Sequence, residues 1–245
     1  MNVFKLNLIC LVTVCLIGSS AMGIFEQETE ILPEEDYLEQ ARSYLASNLY
    51  EKSINNYEEL QTFYPFGDKA DTARLEVIYA YYITHDYQNA LVGIQRYKNL
   101  HPKSNRMDYL LYVQGLAESR MLLDKFKNII WADLSRRDLS DIKKAFSTYK
   151  QLIEDYPQSV YVPSAYRKAQ NIRLLIAKSE IYTAQFYLGV GANLAAIERS
   201  SEYLNHFYGL PQTSTAFSIL SEAFTQLGLD EVAKDVEHVD QLNQL

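Results

Sequence analysis

A chain of 245 residues with nine glycines and six prolines is too poor in turn residues for a many-stranded β-sandwich or barrel, so helix is the better expectation. A formal net charge of −8 without a run of Lys or Arg argues against nucleic acid and anionic membrane surfaces as main partners, because both reward dense positive charge. The two cysteines, Cys10 and Cys15, both fall in the apolar N-terminal stretch, which leaves the rest of the chain without a thiol for a disulfide, a metal site or nucleophilic catalysis.

Residues 1–23 read as an export signal: Lys5 is a thin basic start, Leu8 to Ile17 is apolar, and small residues run from Gly18 to Ala21. The apolar run is shorter than the about 20 residues that span a bilayer. Leu16-Ile17-Gly18-Ser19 has the form of a lipoprotein cleavage box with serine at the place of the lipid-bearing cysteine, so no residue is assigned to lipidation. Residues 24–35 are acidic with one proline and read as a loose tether.

From residue 36 onward the sequence repeats. Tyr37, Ala41, Tyr44, Tyr50, Ser53, Tyr57 and Pro65 stand at the relative places where a tetratricopeptide repeat carries aromatic, small and proline residues. Ile78, Tyr81, Tyr87, Ala90, Ile94 and Pro102 give a second unit, and Ile142, Ala145, Tyr149 and Pro157 a third. In each, the small residue precedes the bulky one by four and the proline by twelve. The small residue lets two helices approach, the bulky one fills the gap a turn later, and proline stops the second helix. A fourth unit is read on Ala192 and Ala195, with Phe207 where proline belongs, and a fifth on Phe217, Phe224 and Ala233. Together these predict an all-α, right-handed α-solenoid of about five tetratricopeptide hairpins, over residues 36–69, 71–104, 107–158, 160–211 and 213–245.

The third unit carries extra sequence, 122–139, with the single tryptophan Trp131 and the polar run Asp133, Ser135, Arg136, Arg137 and Asp138. It is either a binding face or a solvated loop with its own ion cluster. Pro163 to Leu188 reads as one long helix. Arg199, in the slot that holds Tyr57, Ile94 and Tyr149 in earlier units, needs a partner: Glu198 or Glu202 within the chain, or a carboxylate of another protein. His85, His101, His206 and His238 are scattered without metal-ligand spacing, and no Gly-x-Ser-x-Gly, HExxH or phosphate-loop pattern occurs. The expectation is a protein that binds without catalysis, with no metal and no cofactor.

One string is more specific: Tyr64-Pro65-Phe66-Gly67, then Ile78 to Tyr82, then Asp108-Tyr109, Tyr112 and Gly115-Leu116, continuing through Asp133-x-Ser135-x-Arg137-Asp138, Ala145-Phe146 and Tyr156-Pro157 to Gly191-Ala192 and Arg199. It resembles the BamD family, the repeat lipoproteins of the outer-membrane β-barrel assembly machine, over nearly the whole chain after the signal. Serine at 19 departs from that family's lipidated cysteine. The resemblance implies a place at the periplasmic face of the outer membrane, in peripheral association with it. N-terminal repeats would engage unfolded outer-membrane proteins, and C-terminal repeats would dock on the periplasmic domains of a barrel-forming partner, beside other assembly lipoproteins. Tyr64, Phe66, Tyr79, Tyr82, Tyr109 and Tyr112 are the expected groove residues, since rigid aromatic side chains add contact area at low entropic cost. Arg199, Arg137 and Asp138 are the expected docking residues. A general periplasmic adaptor for envelope or division complexes would share the signal and the repeats but not this string.

Overall fold

The computed structural model describes residues 31–126 and 133–243, so the export signal, Ser19, most of the tether and Trp131 lie outside the described residues. Ten α-helices among them pair into five hairpins: α1 (Glu34–Ala46) with α2 (Tyr50–Phe63), α3 (Ala70–Ile83) with α4 (Tyr87–Leu100), α5 (Met107–Phe126) with α6 (Ser140–Asp155), α7 (Val162–Gly189) with α8 (Asn193–Phe207), and α9 (Thr213–Gln226) with α10 (Asp230–Asn243). The fold is an all-α tetratricopeptide solenoid. α1 starts within the acidic segment read as tether, because Glu34, Glu35 and Asp36 fill a first turn whose unpaired N–H groups favour negative charge.

Four of the five hairpins turn by one device. Asn48, His85, Gly191 and Gly228 take a left-handed conformation (φ 59°, 64°, 76° and 75°), each two residues before the next helix begins. The following N–H groups of Leu49, Asp86, Ala192 and Leu229 then reach back to the carbonyls of Tyr44, Tyr81, Tyr187 and Phe224, all at 2.9 Å, which satisfies otherwise orphaned helix-end acceptors. The stops are equally uniform. Tyr64, His101 and Tyr156, each kept out of the helical region by the proline that follows, end α2, α4 and α6 at ψ 60°, 62° and 57°.

The second helices share one buried face. Ser53, Tyr57 and Leu60 in α2, Ala90, Ile94 and Tyr97 in α4, and Ala145, Tyr149 and Leu152 in α6 are buried at positions n, n+4 and n+7. Full burial of a residue such as Leu60, Ile94 or Leu152 contributes about 1.5–3 kcal/mol. Ser53 keeps its place by donating its hydroxyl to the Ala41 carbonyl at 2.8 Å. Between α5 and α6 a Cβ at Gly115 would stand 2.6 Å from a Tyr149 ring carbon, so only glycine fits there.

In α8 the same face is Ala196, Ser200 and Tyr203, all 0% exposed. The fourth unit therefore runs one residue later than the reading based on Ala195, and the slot given to Arg199 belongs to Ser200. Arg199 sits beside that face with its side chain 38% exposed, which is what a guanidinium without a fully buried counterion requires.

The third hairpin replaces the tight turn with its inserted segment. α5 continues to Phe126, so the first residues of the insertion are helix. A 3-10 turn, Leu134–Arg136, then docks on α7. The Asp133 carboxylate accepts from the Ser135 N–H (3.1 Å) and hydroxyl (2.6 Å) and from Lys178 (3.2 Å), and the Arg136 guanidinium lies 4.4 Å from the Tyr182 ring centroid. These bonds, the Ser135 hydroxyl foremost, hold Asp133 well below the usual carboxylate range. At 28 residues, α7 is nearly twice as long as α8, at 15, and its second half receives this segment.

Gly191→Ala is expected to lower the unfolding free energy by about 1–2 kcal/mol, because a side chain there meets no neighbour within 4 Å and pays only for the left-handed backbone. Urea denaturation at neutral pH checks it; an unchanged midpoint would contradict the turn analysis.

Candidate functional site

The first helices of the hairpins bring one set of side chains around a shared hollow. Leu45 on α1, Leu75, Glu76 and Tyr79 on α3, Tyr109 on α5 and Tyr161 just ahead of α7 line a cleft of about 510 Å³. Its lining mixes these apolar and aromatic side chains, and Tyr97 of α4, with the polar groups of Asp71, Thr72, Asn105 and Arg106, the mixed composition usual for a ligand site.

Two of the rings are set by their neighbours. Tyr161 stacks on Tyr112 with centroids 4.8 Å apart and planes at 17°, and stands 6.1 Å from Tyr109. Tyr112 is fixed in turn by a hydroxyl hydrogen bond with Ser164 at 2.9 Å. Burial, followed by the neighbouring hydroxyls of Tyr161 and Tyr79, pushes the Tyr109 phenol up to about 12. Glu76 is fully engaged: Arg42 donates to it from Nη2 at 2.6 Å and from Nε at 2.9 Å, and the Tyr57 hydroxyl donates at 2.9 Å. Asp71 at the rim pairs with Arg74 at 2.6 Å and lies 3.1 Å from His101 Nε2.

Of the six expected groove residues, Tyr79 and Tyr109 line the cleft and Tyr112 backs its wall. Tyr82 instead packs on Tyr87, with centroids 5.9 Å apart, against the core between the second and third hairpins. Tyr64 lies edge-on to Tyr37 at 6.5 Å, and Phe66 is 98% exposed on the turn between α2 and α3. Sequence reasoning missed Leu45, Tyr161 and Arg106. The signal for Tyr161 was its place two residues ahead of Pro163, at the mouth of the long helix.

The expected docking residues are not brought into one hollow. Arg137 lines a second recess, of about 560 Å³, with Arg136, Tyr182 and Phe186, where α7 meets the inserted segment. Asp138 accepts the Ser140 N–H at 2.9 Å at the start of α6. Arg199 forms ion pairs with Glu202 at 3.1 Å and with Glu180 at 3.4 Å, and Lys143 reaches Glu180 from α6 at 3.3 Å. Glu202 was one of its two expected internal partners; Glu180, thirteen-hundredths exposed on the neighbouring helix, was not. Among the described residues no group of three or more His, Cys, Asp or Glu is arranged to hold a metal ion, and no helix is long and apolar enough to cross a membrane.

Fold and cleft together define a helical-repeat protein of the tetratricopeptide type. A family profile described as "Outer membrane lipoprotein", YfiO, matches residues 31–239. The outer membrane protein assembly factor BamD of Vibrio cholerae is 32% identical over 217 residues, covering 87% of this chain and 89% of its own. Those of Neisseria meningitidis serogroup A (26% over 234 residues; 93% and 86% covered) and Pasteurella multocida (25% over 218 residues; 89% and 84%) are also similar. The chain belongs to the BamD (YfiO) family. A solved tetratricopeptide repeat protein from Parabacteroides merdae overlaps 85% of this chain and 79% of its own at 12% identity and a TM-score of 0.39.

Because Tyr109 is ordinarily ionised near 10 when unfolded and near 12 in the fold, the native state keeps a proton that the unfolded chain releases between those values. Stability is therefore expected to be intact below about pH 10 and to fall as pH rises toward about 12. The check is thermal unfolding followed across that range alongside phenolate absorbance. A midpoint flat from pH 9 to 12 would contradict the buried environment.

Proposed function

We propose that this protein serves outer-membrane protein assembly by binding, without catalysis: the cleft of Tyr79, Tyr109 and Tyr161 holds extended segments of unfolded outer-membrane proteins. The observation that carries this reading is the cleft itself, lined by residues of four successive hairpins, with two of its rings, Tyr109 and Tyr161, set against neighbouring rings. Pre-set aromatic walls bind an extended chain with little further loss of side-chain freedom. The names of its relatives, each an outer membrane protein assembly factor, support the client class.

On the same reading, the export signal at 1–23 delivers the chain to the periplasmic face of the outer membrane, where it associates peripherally. The C-terminal hairpins dock on the periplasmic domains of a barrel-forming partner, in company with other assembly lipoproteins. Arg199 on α8 and the Arg137–Asp138 segment are the proposed contacts. A partner carboxylate reaching Arg199 would replace one of two partly exposed internal pairs, an exchange of small cost because such pairs are worth about 0–1 kcal/mol.

Tyr79→Ala, at a side chain 45% exposed, is expected to leave the fold intact and weaken binding of urea-diluted outer-membrane protein fragments by about five- to thirtyfold, the range of one aromatic anchor. Fluorescence anisotropy reads the affinity, and equal binding by the variant would remove the cleft from the account. In parallel, Arg199→Gln should keep its thermal midpoint but lose the barrel partner on affinity purification from solubilised envelopes; full recovery of the partner would sink the docking assignment.

A further inference from the structure

We propose that His85, Tyr87 and Asp124 form a site for one divalent late-transition ion of the zinc or copper kind, placed so that the ion ties the second hairpin to the third. The site stands apart from the cleft and from the docking residues. Two departures from the repeat meet there. The first is in the turn. Gly191, Gly228 and Asn48 take the left-handed backbone in three hairpins, whereas between α3 and α4 His85 takes it (φ 64°), which adds an imidazole nitrogen at a place where the other turns have none. The second is in the helix that follows. α5 runs 20 residues to Phe126, against 13 and 14 for α1 and α3, and its added length carries Asp124 alongside the tip of the second hairpin.

The first hairpin shows the turn without the second departure. There the Tyr50 hydroxyl donates to Asn48 Oδ1 at 2.7 Å, a bond closed within the turn. Tyr87 stands to His85 as Tyr50 stands to Asn48, with its hydroxyl oxygen 2.8 Å from Nδ1. Both groups also reach the next hairpin: Asp124 Oδ2 lies 2.5 Å from His85 Nδ1 and accepts the Tyr87 hydroxyl at 2.5 Å. Three donor atoms of three side chains therefore converge. His85 and Asp124 are 39 residues apart, so no sequence spacing marks them. The third member is a phenol, so the site is not among sets of three His, Cys, Asp or Glu, of which the described residues hold none.

The chemistry of the set selects the ion. One imidazole nitrogen and one carboxylate oxygen suit zinc, nickel and copper, whereas magnesium and calcium favour oxygen alone. Donors at about 2.0–2.2 Å from such an ion stand roughly 3 Å from one another on one face of an octahedron, so these three need to open by only about half an ångström. The His85 side chain is 59% exposed and that of Asp124 18%, which gives the ion a path from solvent and leaves its outer side to water. Burial, then the bond to Asp124, pushes the Tyr87 phenol above its usual range, so without metal the hydroxyl stays protonated and holds the carboxylate in place. A bound dication reverses that push and draws in the phenol oxygen. Arg120, a turn before Asp124 on α5, adds a nearby positive charge, which further disfavours a cation held by charge alone.

The test is isothermal titration of the purified full chain, free of any polyhistidine tag, with zinc and separately with magnesium at neutral pH. One zinc per chain is expected, and no heat from magnesium at the same concentration. His85→Asn keeps a residue that the left-handed turn accepts, as Asn48 shows, and is expected to weaken zinc binding tenfold or more, as is Asp124→Asn. Tyr87→Phe should weaken it by about tenfold. Hydrogen exchange gives a reading on the wild type alone: zinc should slow exchange at residues 83–88 and 120–126 together. Absence of zinc binding, equal binding of magnesium, wild-type affinity in any of the three variants, or zinc protection confined to other segments overturns the proposal.

Discussion

The close approach of paired helices at a small residue is the constraint on which the rest of this structure depends. Ser53, Ala90, Ala145 and Ala196 are each 0 % exposed, and each is followed at the seventh residue by a side chain sealed into the seam: Leu60, Tyr97, Leu152 and Tyr203. A larger residue at the small position would force the pair apart and open the packing of both neighbours, because interiors at native density have no slack to absorb it. No hairpin buries its apolar face alone, so each pair is stable only as a member of the stack.

That regularity is what turns a row of tyrosines into a cleft. Hairpins stacked in register place their first helices side by side, and residues far apart in the chain meet: Leu45, Tyr79, Tyr109 and Tyr161 lie on four different hairpins. The residues that hold the rings are themselves part of the repeat. Tyr57 occupies the bulky slot of α2 and, from full burial, sends its hydroxyl to Glu76 on the cleft wall. The packed interior and the cleft wall are thus joined by one hydrogen-bond network.

The first three hairpins were legible in the sequence because small, bulky and proline residues recur at offsets that backbone geometry demands. The fourth was read one residue early because its bulky slot holds Ser200 and its stop is not a proline; Tyr208 stands there, with Gly209 at φ 81° completing the turn. A usable signal was present. Gly191 and Gly228 precede Ala196 and Ala233 by five residues, as Asn48 and His85 precede Ser53 and Ala90, and the left-handed turn requires that spacing. The site was legible only in part. Tyr79 and Tyr109 could be chosen for their residue type, but adjacent tyrosines such as Tyr81 and Tyr82 point to different neighbours, and no local pattern separates a groove ring from a packed one. Leu45 and Tyr161 escaped because their place in the cleft comes from stacking across hairpins, which no single repeat encodes.

The most direct test of the central claim, that unfolded clients lie in the aromatic cleft, is site-specific photo-cross-linking in envelopes during outer-membrane protein synthesis. A photo-activatable phenylalanine would replace Tyr79 in one variant and Val92, which is 64% exposed on α4 and does not line the cleft, in another. The account expects newly made outer-membrane proteins to be captured at position 79 and not at 92. Equal capture at both positions, or capture at 92 alone, would contradict it.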